Sequence, residues 1–338
     1  MTPAVSIRAD ANPRIGYGHM MRMLAVAKQL RETHGNSIQF FSAPDSDTSI
    51  VHEAGFKTCL LSGPGVGVDE MLQILNPPNG PVILDSYEVD ETDLERLRSA
   101  GFRVTLFDDG KRLTNYPCEL VIDSAPEAAQ LGYSSSTNAH FCLGTDYYPL
   151  REEFVKARSK CRVFGPIENI LVTFGGSDPF DQTTRVLSLL KQTGLGSKIT
   201  AILGGGYEGA AEILAATVPE ITVHRNPSDI AALMAKSDLA ISSAGGTAFE
   251  IAYMGLPSLL MSLSIDQEPI ARALNNQDCA YNLGHWDRCS EMEIQTAIEK
   301  MSRDRDRRER YSRNASDVVD GNGTARIASE ILRIWESK

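Results

Sequence analysis

Residues 8–22, Arg8-Ala-Asp10-Ala-Asn12-Pro-Arg-Ile15-Gly16-Tyr-Gly18-His19-Met-Met-Arg22, set one imidazole among arginines, a carboxylate and an amide. The chemistry this mixture can do is proton transfer, with His19 as acceptor and Asp10 as a nearby carboxylate. Arg8, Asn12, Arg22 and the backbone of Gly16 and Gly18 would then meet the ligand. A β-branched run, Val5-Ser-Ile7, precedes the stretch and reads as a buried strand. After it, Met20, Leu24, Ala27 and Leu30 recur at helical spacing until His34-Gly35 ends the pattern. His19 therefore falls in the first turn of a helix, where the dipole disfavours an added positive charge and suits a proton acceptor. A histidine at a helix start is also a common surface or capping residue. The surrounding polar residues favour the chemical reading, because loops at strand C-termini are where open α/β sheets hold ligands.

The second half carries small residues rather than charged ones. A buried strand ends in Ser243-Ala244-Gly245-Gly246-Thr247, and a short helix bearing Glu250 follows. Gly245 and Gly246 let a diphosphate approach the amides of that helix, and Glu250 could accept hydrogen bonds from ribose hydroxyls. Thr247-x-x-Glu250 also has the spacing of a capping box, which would tie the carboxylate to its own helix. Upstream, Gly175-Gly176-Ser177-Asp178-Pro179 follows the strand Asn169–Phe174. Its glycines fit a phosphate cradle, and Pro179 fits the first position of a helix. Asp266-Gln267 follows the strand Ser258–Met261 on the same ligand side.

Gly204-Gly205-Gly206-Tyr207-Glu208-Gly209 satisfies G-x-G-x-x-G after a strand. A dinucleotide site wants an acidic residue at the end of the next strand, and Ile221–His224 runs into Arg225-Asn226 instead. No nicotinamide or flavin cofactor is expected.

The elements that must carry these residues alternate strand and helix through both halves, as in doubly wound parallel sheets. Polar residues close the first-half strands at Asp10, Asp85, Asp108 and Asp123. Each alone is a plausible helix cap; four on one rim make a polar cleft. Asp85 and Tyr87 are the next candidates after His19 for a hydroxyl-rich ligand. The basic run Lys156–Arg162 reads as a solvated crossing between domains. With 338 residues the chain suits two domains, one over 1–150 and one over 165–320, with a closing helix in 321–338 that could pack back on the first.

A hydrophobic share of 42% and a charged share of 23% are those of a soluble globular protein. A net charge of −11 argues against nucleic acid or an anionic membrane as the main partner. Six scattered cysteines, without a C-x-x-C pair or histidines at ligand spacing, point to reduced thiols in the cytoplasm and to no metal site. No apolar run reaches the length of a membrane span.

Taken together, Arg8-x-Asp10-x-x-x-x-Ile15-Gly16-x-Gly18-His19-x-x-Arg22, Asp85-x-Tyr87, Gly175-Gly176-Ser177-Asp178-Pro179, Ile241-Ser-x-x-Gly245-Gly246-Thr247-x-x-Glu250 and Val319-Asp320-Gly321-x-Gly323-x-x-Arg326 resemble one family. It is that of the UDP-sugar hydrolases of the pseudaminic acid pathway and their spore-coat polysaccharide relatives. The resemblance implies a GT-B-like fold of two Rossmann-like domains with an interdomain cleft. It also implies metal-independent hydrolysis, without a cofactor, at the anomeric carbon of a UDP-linked acetamido-deoxy sugar in surface-glycan biosynthesis. The nucleotide would meet Gly245, Gly246, Thr247 and Glu250, with Gly175, Gly176, Ser177, Ser243 and Ala244 beside them. The sugar would meet the His19 loop. The chain departs from the family where Asp266 replaces the usual amide before Gln267, which removes a donor and adds a negative charge. Inverting hydrolysis with His19 as general base is the expected reaction. A glycosyltransferase using the same nucleotide site, a hydrolysing epimerase and a non-catalytic nucleotide-sugar-binding protein are the alternatives.

Overall fold

The structure, a computed structural model, describes residues 4–12, 15–63, 67–75, 80–158 and 164–336. Pro13 and Arg14 of the His19 loop, part of the 62–68 glycine loop, and the end of the Lys156–Arg162 run lie outside the described residues. The chain divides into two compact units, Met1–Arg151 with Gly321–Lys338, and Glu152–Asp320.

The first unit contains β1 (Val5–Ala9), α1 (Gly18–His34), β2 (Ile38–Ser42), α2 (Ser49–Glu53), β3 (Lys57–Leu60), α3 (Val68–Ile74), β4 (Val82–Asp85), α4 (Glu91–Ser99), β5 (Val104–Phe107), β6 (Leu120–Asp123) and β7 (His140–Leu143). Among the described residues its strands form one seven-stranded parallel sheet, ordered β3-β2-β1-β4-β5-β6-β7. Successive residues of the central strands are buried on opposite faces, as strands covered by helices on both sides require. Ile7, Phe40, Ile83 and Ile122 pack on one face with Met20, Met23 and Leu30 of α1. Phe41, Leu84, Leu106 and Val121 pack on the other with Leu94 and Leu97 of α4.

The second unit contains α5 (Glu152–Ala157), β8 (Asn169–Thr173), α6 (Gln182–Thr193), β9 (Lys198–Leu203), α7 (Ala211–Ala215), β10 (Ile221–Arg225), α8 (Ile230–Ala235), β11 (Leu239–Ser243), α9 (Gly246–Tyr253), β12 (Ser258–Ser262), α10 (Glu268–Asn276), β13 (Tyr281–His285), α11 (Glu291–Arg303) and α12 (Arg305–Ala315). Its described strands form a six-stranded parallel sheet, ordered β10-β9-β8-β11-β12-β13. The last helix, α13 (Gly323–Glu336), belongs to the first unit. There Ile327, Ala328 and Ile331 join the core beside α1.

Both sheets repeat the doubly wound order, with the reversal of direction between β1 and β4 and between β8 and β11. Ligands of such sheets bind outside the strand carboxyl ends at this switch. No described helix is long and apolar enough to cross a membrane.

Candidate functional site

In the first unit the switch brings together the loop after β1 and the end of β4, where Ala9 pairs with Asp85. The β1 loop is tied by Asn12, whose side-chain oxygen accepts from the Ile15 amide at 3.0 Å and whose carbonyl accepts from Gly16 at 2.8 Å. The Asn12 amide also donates to Asp45. The chain then enters α1 at Gly18, and no side chain caps that end. His19 is buried, 7% exposed, and its partners are polar. Its Nδ1 lies 2.6 Å from Asp85 Oδ1, and the Tyr87 ring meets it edge-on with centroids 4.6 Å apart.

Asp85 is buried and shares its carboxylate with Arg22, one turn along α1 from His19. Arg22 Nε donates to Asp85 Oδ2 at 2.6 Å and Nη2 to Asp85 Oδ1 at 2.5 Å. The other edge of the guanidinium clamps Asp109, with Nη1 to Oδ1 and Nη2 to Oδ2 at 2.8 Å each. Burial opposes ionisation of Asp85, but the Arg22 guanidinium and then His19 overcome it and hold the carboxyl well below the usual range. Burial likewise opposes the Asp109 charge, and Arg22 reverses the balance. Asp85 is thus a permanent acceptor facing His19 Nδ1. An imidazole that donates through Nδ1 presents its lone pair at Nε2, the arrangement a general base needs.

Arg8 and Asp10 sit differently from the expectation that they meet a ligand. Arg8 is wholly buried on β1 and pairs with Asp10 at 2.6 Å. Asp10 accepts from the Ala43 amide at 2.7 Å, so the pair fastens the ends of β1 and β2. Arg22 is a clamp between carboxylates rather than a cation open to a ligand. The four carboxylates Asp10, Asp85, Asp108 and Asp123 do stand at the ends of adjacent strands β1, β4, β5 and β6. None caps a helix: Asp108 holds Arg112 and Tyr116, and Asp123 holds the Gly110 and Ala125 amides. Tyr87 is 48% exposed, the open member of the group. Arg112 fixes it by donating to the carbonyls of Ser86 and Tyr87, with its guanidinium 5.2 Å over the Tyr87 ring. Asp109 and Arg112 are absent from the sequence-based set. Asp109 had a signal, as the second acid in the Asp108-Asp109-Gly110 strand end.

In the second unit the switch joins the loops after β8 and β11. Gly175 turns with φ 83°, and a Cβ there would stand 3.8 Å from Ser243 Oγ, so the two loops touch. The helices that follow have unlike amino ends. Pro179 does not open α6, which begins at Gln182 behind Asp181. Asp178 accepts from the Gln182 and Thr183 amides at 2.9 and 2.7 Å, and Asp181 accepts from Thr184 at 3.3 Å. Carboxylates thus occupy the first-turn amides at the end where a phosphate cradle was expected. The amino end of α9 starts differently: its N-cap is Gly245, which has no side chain to cap with, and Gly246 is exposed. Thr247 lies inside the helix, so Thr247 and Glu250 stand two residues out of register for a capping box. Glu250 is buried, 7% exposed. Gln267 Nε2 lies 3.4 Å from where a Gly245 Cβ would be, and its Oε1 accepts from the Leu263 amide at 3.0 Å. Asp266, beside it, is exposed. The structure therefore gathers Gly175, Ser243, Gly245 and Gln267 around one helix end, whose partial positive charge suits an anion.

The G-x-G-x-x-G stretch has a packing explanation. A Cβ on Gly204 would fall 2.2 Å from the Gly176 carbonyl, and one on Gly209 would overlap Asp181 and Tyr207. Gly206 donates its amide to the Gly176 carbonyl at 3.0 Å.

Residues 169–331, just under half of the chain, match the family model of the glycosyltransferase family 28 C-terminal domain. The chain is 29% identical over 272 residues to an uncharacterized protein of Methanocaldococcus jannaschii, MJ1062, covering 76% of this chain and 55% of that one. It thus spans little more than half of that relative. It is 24% identical to the spore coat polysaccharide biosynthesis protein SpsG of Bacillus subtilis, over 99% of both chains. Among solved structures it resembles Acinetobacter baumannii MurG, with TM-score 0.70, 17% identity and coverage of 98% and 99%. It also resembles the spinosyn rhamnosyltransferase SpnG, with TM-score 0.70, 12% identity and coverage of 99% and 100%. The fold is that of the GT-B glycosyltransferases, two Rossmann-like α/β domains.

Proposed function

We propose that the chain is an enzyme acting on a nucleotide sugar, and that it hydrolyses the anomeric C–O bond of a UDP-linked acetamido-deoxy sugar with inversion in surface-glycan biosynthesis. His19 Nε2 takes a proton from water as the water oxygen bonds to C1. The bond from C1 to the diphosphate oxygen breaks with its electron pair, and UDP leaves onto the amino end of α9. Gly245, Gly246 and Thr247 receive the diphosphate, and Glu250 the ribose. Tyr87 and Gln267 would contact the sugar, with Asp266 selecting among sugars. The reading needs no metal or cofactor.

The observation that carries the proposal is the His19 Nδ1–Asp85 contact at 2.6 Å, with Arg22 holding the carboxylate ionised. Such an orienting carboxylate fixes the imidazole as an Nε2 base. Similarity to a spore coat polysaccharide biosynthesis protein supports the surface-glycan setting. General-base help contributes about 10²–10⁴-fold, and stabilisation of the departing diphosphate adds a comparable factor.

The glycosyltransferase reading has its own support, in the family 28 match and in SpnG, described as a rhamnosyltransferase. Incubation with UDP-sugars and no acceptor separates the two. Proton NMR should show free sugar released, with the first-formed anomer opposite to the substrate's. Turnover that begins only when a hydroxyl acceptor is added favours transfer.

A further inference from the structure

The hydrogen bonds around Arg22 identify a residue that governs His19 without touching it. Arg22 Nη2 lies 3.1 Å from His19 Nδ1, close enough to donate to it. If it did, Nδ1 would be an acceptor, the ring proton would sit on Nε2, and the base would be masked. Nη2 carries two protons and no acceptor capacity. One goes to Asp85 Oδ1 at 2.5 Å and the other to Asp109 Oδ2 at 2.8 Å. Both contacts are shorter than the 3.1 Å to the imidazole, so the carboxylates hold the Nη2 protons and Nδ1 supplies its own proton to Asp85 at 2.6 Å.

From this geometry we infer that Asp109 is a positioning residue that selects the His19 tautomer, by taking the second Arg22 Nη2 proton away from Nδ1. Asp85 supplies the acceptor that draws the ring proton to Nδ1, and Asp109 guards that arrangement by holding Arg22 Nη2 against its own carboxylate. The arrangement extends over three elements: α1 brings His19 and Arg22, β4 brings Asp85, and the loop after β5 brings Asp109. The neighbouring Asp108 takes no part in it, since its oxygens serve Arg112, Tyr116 and Tyr133.

The catalytic consequence rests on the reading of His19 as general base, but the tautomer is observable without turnover. The test is long-range proton–nitrogen NMR of the full chain labelled with ¹⁵N-histidine, the His19 signals being assigned with His19→Gln. At mildly alkaline pH the wild-type protein should show a protonated Nδ1 and an unprotonated Nε2. In Asp109→Ala the freed Nη2 proton should move the pattern toward a protonated Nε2. Asp109→Asn keeps one acceptor oxygen and should give a mixture, and it serves if the alanine variant folds poorly. Turnover should fall roughly 10²-fold in Asp109→Ala with KM within about twofold, as for a base held in the wrong tautomer. An unchanged nitrogen pattern in both variants overturns the inference, whatever the kinetics. A wild-type enzyme with the expected pattern but no acceptor-free turnover overturns the hydrolytic reading and leaves the role of Asp109 standing.

Discussion

The two sheets share one strand order, yet the loops at their switch points use different chemistry. At the β1/β4 switch the groups are charged side chains in mutual contact: His19 on Asp85, Asp85 on Arg22, Arg22 on Asp109. At the β8/β11 switch they are backbone and small residues, Gly175, Ser243, Gly245 and Gly246, at a helix end whose N-cap is a glycine. A proton acceptor needs a fixed nitrogen with a defined tautomer, which only neighbouring side chains can impose. A diphosphate needs several amides and room for its oxygens, which side chains would obstruct. On the proposed reading one topology serves two tasks, and the difference lies in what fills the loops.

The comparison breaks first at His19. His19→Ala should lower kcat by about 10²–10⁴-fold while UDP affinity by calorimetry stays within about twofold. Near-native turnover would place the proton chemistry elsewhere. Next is Arg22→Ala, which strands Asp85 and Asp109 and should destabilise the first unit by about 3 kcal/mol in urea unfolding. The same cluster sets a pH dependence. Asp85 has a folded pKa below its unfolded value. It therefore contributes stability that is fully present above the ordinary carboxylate pKa of about 4 and is lost as the pH falls through the folded value. Urea midpoints at pH 7 and about pH 3 should drop less for Asp85→Asn than for the wild type. Asp123, pushed upward mainly by burial, contributes with the opposite sign: its part is present at low pH and lost as the pH rises through its folded value.

Smaller effects sharpen the second half of the comparison. Gly245→Val should keep the fold, because Gly245 has φ −89°, but cover the amino end of α9. UDP affinity should fall roughly tenfold, about 1.4 kcal/mol, with kcat at saturation little changed. Gly205→Ala should change neither UDP affinity nor stability by more than about 0.5 kcal/mol, since a Cβ there meets nothing within 4 Å. A loss of nucleotide binding in that variant would return the G-x-G-x-x-G stretch to the site.

Much of the scaffold was readable because its signals are local. The run into β1, the spacing of Met20, Leu24, Ala27 and Leu30, and Gly35 in the left-handed conformation at the end of α1 all lie within a few residues of one another. The half-exposed edge strands β7 and β13 were not readable, because one is only four residues long and the other, Tyr281–His285, has no apolar run. The partnership of His19 with Asp85 spans 66 residues and exists because β4 lies beside β1. Sequence placed both residues near a ligand but gave Asp85 to the ligand rather than to the imidazole. Arg8 looked like a ligand contact because nothing in the sequence signals that it is wholly buried on β1 against Asp10. Pro179 looked like a helix start, but Asp178 and Asp181 in left-handed conformations delay α6 to Gln182.

The central claim is that His19 directs water to the anomeric carbon. Acceptor-free turnover in ¹⁸O-water, read by mass spectrometry early in the reaction, tests it most directly. The account predicts ¹⁸O in the released sugar, unlabelled UDP, and loss of both products in His19→Gln. Label in UDP, or undiminished product from His19→Gln, would contradict it.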